Sequence, residues 1–160
     1  LKEFIFKIKE RVYPVGRLDY QSEGLIFLTN DGELMNFIIS PRNKVPKQYR
    51  IKIKGVLKPE EIARLKTKGL VVDGVRIKPL DIRFVRKTKE NNAWYMVTIV
   101  EGKKHILRKT FKYFGHPLEK LMRTAIGTLK LGKLPVGHWR ELTEEEVAQF
   151  KKTYKFAPEK

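Results

Sequence analysis

The stretch Gly16–Gly32, GRLDYQSEGLIFLTNDG, decides how the rest of the chain is read. Its second half runs apolar from Leu25 to Thr29 and ends at Asn30-Asp31-Gly32, a turn whose Asn or Asp can also cap a following helix. This predicts a buried strand, a turn, and a helix over Glu33 to Ile39 that stops before Pro41. Its first half sets Asp19 between Arg17 and Gly24, on a loop that leads into the strand. A loop anchored on a rigid sheet is where chemistry is often placed. Spacing alone leaves two readings of Asp19: an acid with a chemical task, or a turn residue bonded to nearby backbone or to Arg17.

Outward from this stretch, a basic loop from Ser40 to Lys47 feeds Gln48 to Lys54. There Tyr49, Ile51 and Ile53 alternate with Arg50, Lys52 and Lys54, which predicts a strand with one dry and one cationic face. Pro59 opens a predicted helix with Glu60 and Glu61 in its first turn and Gly69 beyond its end. Val71 to Ile77 reads as a hairpin turning at Asp73-Gly74, and Leu80, Ile82 and Phe84 alternate as in a strand. Trp94 to Val100, after the Asn91-Asn92 turn, is apolar on both faces, as a central strand would be. Helical period runs through Leu107, Thr110, Phe111 and Phe114 and closes at Gly115. Leu118 to Leu131 is extended with a break at Gly127, and Thr143 with Glu146 forms a capping box for the last helix. Residues 1–11 fit a short amphipathic helix or a strand equally well. Hairpin-like strands with helices interspersed, without strict alternation, predict an α+β domain on a mixed, mainly antiparallel sheet flanked by helices. The expected layout is a single domain over 1–152 and a flexible tail over 153–160.

Thirty-five Lys and Arg against 18 Asp and Glu give a formal charge of +17, which makes a polyanion, nucleic acid above all, the leading partner class. With no cysteine there is neither a disulfide framework nor a thiolate metal site. His105, His116 and His138 lie too far apart for metal-ligand spacing, so no metal is expected. No apolar run approaches the roughly 20 residues of a membrane span, and a signal-peptide pattern is missing. The expectation is a cytoplasmic monomer without a membrane contact. Leu1 is not an initiator, which suggests a fragment.

Among residues that could carry chemistry, Asp31 and Asp73 each precede Gly in a turn and are read as structural. Glu101 ends a predicted strand before lysines and is an acid or their partner. Arg108 taken alone is a solvated helical arginine, and Tyr49 a half-buried strand aromatic. A Gly-rich phosphate loop, a Gly-x-Ser-x-Gly elbow and a cysteine nucleophile are all missing, which argues against nucleotide hydrolysis, serine esterase and thiol chemistry.

Four motifs in order carry a resemblance: Val15 to Gly32; Pro46-Lys47-Gln48-Tyr49; Glu101 to Lys109; and Gly115-His116-Pro117 leading to Leu121 through Gly127. Together with Leu134 to Thr143 they make residues 12 to 147 similar to the bacterial ribosomal pseudouridine synthases of the RsuA type. The resemblance implies the pseudouridine synthase fold with a central RNA-binding cleft, and isomerisation of a uridine in ribosomal RNA to pseudouridine without a cofactor. It places Asp19 on the family's catalytic aspartate, Arg108 on the arginine that pairs with it, Tyr49 on the aromatic against the target base, and Leu121 on an apolar wall.

Those residue types suit the chemistry. Breaking a glycosidic bond builds positive charge on the sugar, which a carboxylate beside C1′ can stabilise or attack. A planar guanidinium orients that carboxylate better than an ammonium. A tyrosine face stacks a base taken out of its helix, worth ~1–3 kcal/mol, and its hydroxyl can assist proton removal at C5. The target uridine is expected to be flipped out. Arg17, Arg42, Lys44, Lys47, Lys103, Lys104 and Arg123 are expected to grip flanking phosphates. The chain departs from the family at Ile106, where Gln is usual, and an early Lys-Pro strand and a small S4-type RNA-binding domain, both usual upstream, do not appear. The competing expectation is a non-catalytic rRNA-binding or ribosome-assembly module with the same fold and charge.

Overall fold

Asp31 does what its place before the helix predicts: its Oδ1 accepts from the Leu34 amide at 2.9 Å, so the chain turns from strand into helix there. The computed structural model describes residue 5 and residues 7–100 and 105–157. In chain order the elements are β1 (Tyr13–Val15), β2 (Glu23–Gly24), β3 (Phe27–Thr29), α1 (Gly32–Ile39), β4 (Lys47–Ile53), α2 (Pro59–Thr67), β5 (Leu70–Val72) and β6 (Val75–Ile77). They continue with β7 (Asp81–Lys87), β8 (Ala93–Ile99), α3 (Ile106–Tyr113), β9 (Leu118–Ile126), β10 (Leu129–Lys130) and α4 (Glu144–Thr153).

The main sheet has six strands in the order β10-β9-β4-β8-β7, with β2 alongside β9. Only the β2 pairing is parallel, so the sheet is mixed and mainly antiparallel, and the domain is α+β as expected. The hairpin of β5 and β6 turns at Asp73 and Gly74, with φ of 50° and 72°, a left-handed pair that Asp-Gly tolerates. The predicted strand Leu25–Thr29 is divided. Its start is tied to β9, where the Leu25 amide donates to the Arg123 carbonyl at 2.8 Å, and only Phe27–Thr29 continues as a strand, paired with β1. The choice left open over residues 1–11 falls partly on residues 1–4 and 6, outside the described residues. The Ile8 amide donates to the Ile5 carbonyl at 3.0 Å in a turn.

Two cores hold these layers. Ile51, Ile53, Tyr95, Val97 and Leu121 from the sheet pack with Leu65 of α2 and Leu107 and Phe111 of α3. Fully burying such side chains stabilises by roughly 1.5–3 kcal/mol each. Tyr95, wholly buried, satisfies its hydroxyl by accepting from the Leu57 amide at 3.1 Å. The second core joins Val15, Phe27 and Ile38 to Ile126, Leu129 and Phe150, so α1 and α4 close over the end of β9. The segment expected to be a tail from residue 153 packs in part. Tyr154 lies 4.9 Å from Phe150 and Phe156 is edge-on to Phe37 at 5.2 Å, because both aromatics reach apolar surface left by α1 and α4. Residues 158–160 lie outside the described ones.

β8 differs from expectation. Ala93, Tyr95, Val97 and Ile99 are buried, but Trp94, Met96 and Thr98 are only half-buried, because that face meets the cationic side of β4 and not a second core. No described helix is long and apolar enough to cross a membrane.

Candidate active site

The Asp19 loop is fastened from two directions. Within the loop, the Ser22 amide donates to the Asp19 carbonyl at 2.8 Å, which tightens the turn and leaves the carboxylate to point elsewhere. Asp19 Oδ2 lies 3.0 Å from His105 Nδ1, with the two side chains 33% and 40% exposed. His105 is the residue before α3, in the left-handed region at φ 57°, and its imidazole makes no capping bond, so the ring is available to the loop. Three residues on, and hence on the same side of the helix, Arg108 donates from Nη2 to the Gln21 carbonyl at 2.6 Å. The resemblance implies an Arg108–Asp19 pair. Here the arginine holds the loop backbone, and among the described residues the side chain that reaches the Asp19 carboxylate is His105.

From the sheet side the loop is held by Arg123. On β9 it is 4% exposed and donates from Nε to the Leu25 carbonyl at 2.8 Å and from Nη1 to the Arg17 carbonyl at 3.5 Å. One side chain thus reaches both ends of the segment that carries Asp19. Gly24, opposite Arg123 in the parallel pairing, has φ 112°, and a Cβ there would come within 2.2 Å of the Arg123 carbonyl oxygen. Only glycine lets the loop backbone lie so close. Arg123 was expected among the phosphate-gripping cations. Its burial gives it a different place, under the loop, where hydrogen bonds from Nε and Nη1 to carbonyls compensate the guanidinium in part for lost water.

Tyr49 sits beside this clamp. It lies across from Arg123 on β9 and from Val97 on β8, half-buried against the first core, with a register irregularity next to it. Leu121, opposite Ile51, is buried in that core. Lys47, at the start of β4, is half-buried, and burial first and the Arg123 charge second hold its ammonium below the usual lysine range. Arg108 Nε and Arg123 Nη2 are buried without hydrogen-bond partners among the described residues, so cationic donors remain unspent around the loop. Arg17 is exposed on the loop, and Arg42 and Lys44 are exposed on the turn after α1. Lys103, Lys104 and Glu101 lie outside the described residues.

The structure therefore brings Asp19, Arg108, Arg123 and Tyr49 into one neighbourhood. Two further residues join them. His105 is no metal ligand by its spacing, but its place three residues before Arg108 makes it face the same way. Tyr20, next to Asp19, is fully exposed, an aromatic with no core to enter. Among the described residues no group of three or more His, Cys, Asp or Glu is arranged to hold a metal ion.

Comparison with known proteins gives a consistent result. A family model described as RNA pseudouridylate synthase matches residues 6–113. A protein of Aquifex aeolicus (strain VF5) named as an uncharacterized RNA pseudouridine synthase is 44% identical over 100% of this chain and 64% of its own length. Ribosomal large subunit pseudouridine synthase B of Bacillus subtilis (strain 168) is 35% identical over 93% of this chain and 61% of its own length. The chain thus spans less than two thirds of these relatives. A crystal structure of a pseudouridylate synthase superposes with a TM-score of 0.76 at 25% identity, covering 87% of this chain and 59% of that one.

Proposed function

The chain belongs to the RNA pseudouridylate synthase family, and from that premise we propose that it isomerises a uridine of ribosomal RNA to pseudouridine with Asp19 as the nucleophile. The observation that carries this reading is the half-exposed Asp19 carboxylate, on a loop fixed by His105, Arg108 and Arg123.

The Asp19 carboxylate meets C1′ as the bond from C1′ to N1 of the uracil breaks, and the bonding pair leaves with the base. The detached uracil turns between Tyr49 and the apolar wall that includes Leu121. C5 then forms the new bond to C1′, Asp19 is released, and the C5 proton is lost while N1 gains one. Atoms and charge balance without a co-reactant. Fixing the loop at several points limits the drift of the carboxylate, and misplacement by about 1 Å is enough to cost a hundredfold in rate. Tyr49 supplies a stacking face for the flipped base, and its hydroxyl is the candidate to take the C5 proton. Tyr20 gives a neighbouring nucleotide a second aromatic face. Arg17, Arg42, Lys44 and Lys47 supply cations for flanking phosphates.

The test is to incubate the protein with ribosomal RNA and map pseudouridine, wild type beside Asp19→Ala. The expected outcome is a specific new pseudouridine with wild type and none with Asp19→Ala, while both bind RNA equally. Product undiminished by the substitution would exclude Asp19 as nucleophile. Salt-sensitive binding without product in either protein would point to a non-catalytic RNA-binding module.

A further inference from the structure

The cationic face of β4 has no part in the site around Asp19. Side chains alternate along a strand, so Arg50 and Lys52 leave the sheet on the side opposite Tyr49, Ile51 and Ile53. Trp94 on β8 is on that side, and it carries two guanidiniums: Arg50 Cζ lies 4.9 Å and Arg86 Cζ 5.7 Å from the ring centroid. Around it is an open depression lined by Lys52, Arg86, Lys87, Lys89 and Lys120, with Glu90 as the acid in its wall among the described residues. Glu119 binds Lys52 at 2.9 Å.

Three features make this more than a solvated lysine surface. Both arginines are laid on an indole, which fixes guanidinium planes that would otherwise be mobile. Their donors are largely unspent: Arg50 Nε is buried with no hydrogen-bond partner, and no side-chain hydrogen bond or ion pair among the described residues takes up Arg86. Like charges gathered this closely repel unless an anion sits among them, and a fixed guanidinium is suited to bidentate binding of phosphate. β7, which carries Arg86 and Lys87, is the edge strand, so the face is open to a long ligand running past the rim of the sheet.

We infer that this face is a second RNA contact surface that binds the phosphate backbone of a folded RNA away from the reacting uridine. The inference rests on the reading above for RNA as the partner. Lys52 is three residues along β4 from Tyr49, about 10 Å at strand rise, and on the other face. A short hairpin held at Asp19 therefore does not reach it, whereas a large folded RNA passing round the β7 edge does.

The experiment measures affinity against salt for an intact ribosomal RNA transcript and for a short uridine-bearing hairpin, with wild type and with the double variant Arg86→Gln, Lys87→Gln. Both positions are exposed on the edge strand, and a thermal melt shows that the variant is folded. Loss of two phosphate contacts lowers the slope of log affinity on log salt by about 2 for the transcript, with the hairpin slope unchanged. Arg86→Lys, which keeps the charge, restores one of those two units when paired with Lys87→Gln. Equal losses on both RNAs, or none on either, overturn the proposal, as does wild type that is dimeric in solution and becomes monomeric on substitution. Wild type that binds the transcript but makes no pseudouridine refutes the catalytic reading, while the length-dependent slope still decides this surface. Wild type that binds neither RNA refutes both.

Discussion

Arg123 Nε donates to the carbonyl of Leu25 at 2.8 Å, and the Leu25 amide returns a bond of the same length to the Arg123 carbonyl. Two residues 98 positions apart, Arg123 on β9 and Leu25 just past β2, are thereby locked together at one end of the loop that carries Asp19. A methionine at position 123 would fill much of the same volume but leave the Leu25 and Arg17 carbonyls without their donor. Arg123→Met is expected to lower kcat by about tenfold to a hundredfold, through a loosened loop, with KM and RNA affinity little changed. Arg123→Lys, with one ammonium in place of a fork, is expected to restore part of kcat. Steady-state kinetics normalised to folded protein by circular dichroism checks this. A kcat that stays at the wild-type value would assign Arg123 to stability alone.

Gly24 faces the same clamp from the loop side. With φ at 112° and a Cβ that would sit 2.2 Å from the Arg123 carbonyl oxygen, an added methyl group must push backbone against backbone. Gly24→Ala is expected to destabilise by about 2 kcal/mol or more and to lose activity even at temperatures where it is folded. Denaturant melts and product mapping read the two effects separately. Gly32→Ala, at a position where a Cβ would meet nothing within 4 Å, is the matched control.

His105 combines a backbone cost with a side-chain gain. Left-handed φ in a non-glycine residue costs on the order of 1 kcal/mol, and the imidazole recovers something by reaching Asp19 at 3.0 Å. His105→Gly is expected to keep or raise Tm while lowering kcat, because the strain is relieved and the carboxylate loses its partner. His105→Asn, which tolerates the same backbone region, should give intermediate activity. Equal activity in all three proteins would remove His105 from the positioning of Asp19.

Local chemistry made most of the elements legible. Tyr49, Ile51 and Ile53 alternating with Arg50 and Lys52 defined β4 and its two faces, Asp73-Gly74 the hairpin of β5 and β6, and Thr143 with Glu146 the start of α4. Arg108 and Gln21 were not legible as partners. They are 87 positions apart, and the acceptor is a backbone carbonyl, which every residue has. Arg123 was misplaced for a related reason. An arginine in a basic chain is read as solvated, and nothing local shows that a strand carries its side chain beneath another loop. The apolar run from Leu25 to Thr29 hid its division in the same way, because periodicity records which residues are dry and not which strand each backbone amide pairs with.

Lys47 shows an opposition between stability and binding. Burial and the neighbouring Arg123 charge both disfavour its ammonium in the fold, holding its pKa below the ordinary 10.5. The unfolded chain therefore binds the proton more readily, so the cost is present at neutral pH and is relieved as pH rises toward 10.5. Lys47→Gln is expected to raise Tm at neutral pH, with the gain shrinking in alkaline buffer. If the ammonium contacts a phosphate, the same variant flattens the salt dependence of RNA binding by about one unit. A lower Tm at neutral pH would contradict the assigned burial cost.

Arg140 and Glu146 carry the acid-side prediction. Both guanidinium Nη atoms donate to the Glu146 carboxylate, at 2.8 and 2.7 Å, and the Thr143 amide donates to it at 2.8 Å, so one side chain closes both an ion pair and the capping box of α4. Arg140 first and the Thr143 amide second bring the Glu146 pKa down from 4.5 to about 2. A carboxylate depressed in the fold stabilises above its unfolded pKa and loses that contribution as pH falls through the folded one. The difference in Tm between wild type and Glu146→Gln is therefore expected to be constant above about pH 5, to shrink below it, and to be mostly gone near pH 2. The pair is at the surface, so the difference is modest and falls with added salt. A difference that stayed constant down to pH 2, or grew on acidification, would show that Glu146 acts through packing and not through its charge.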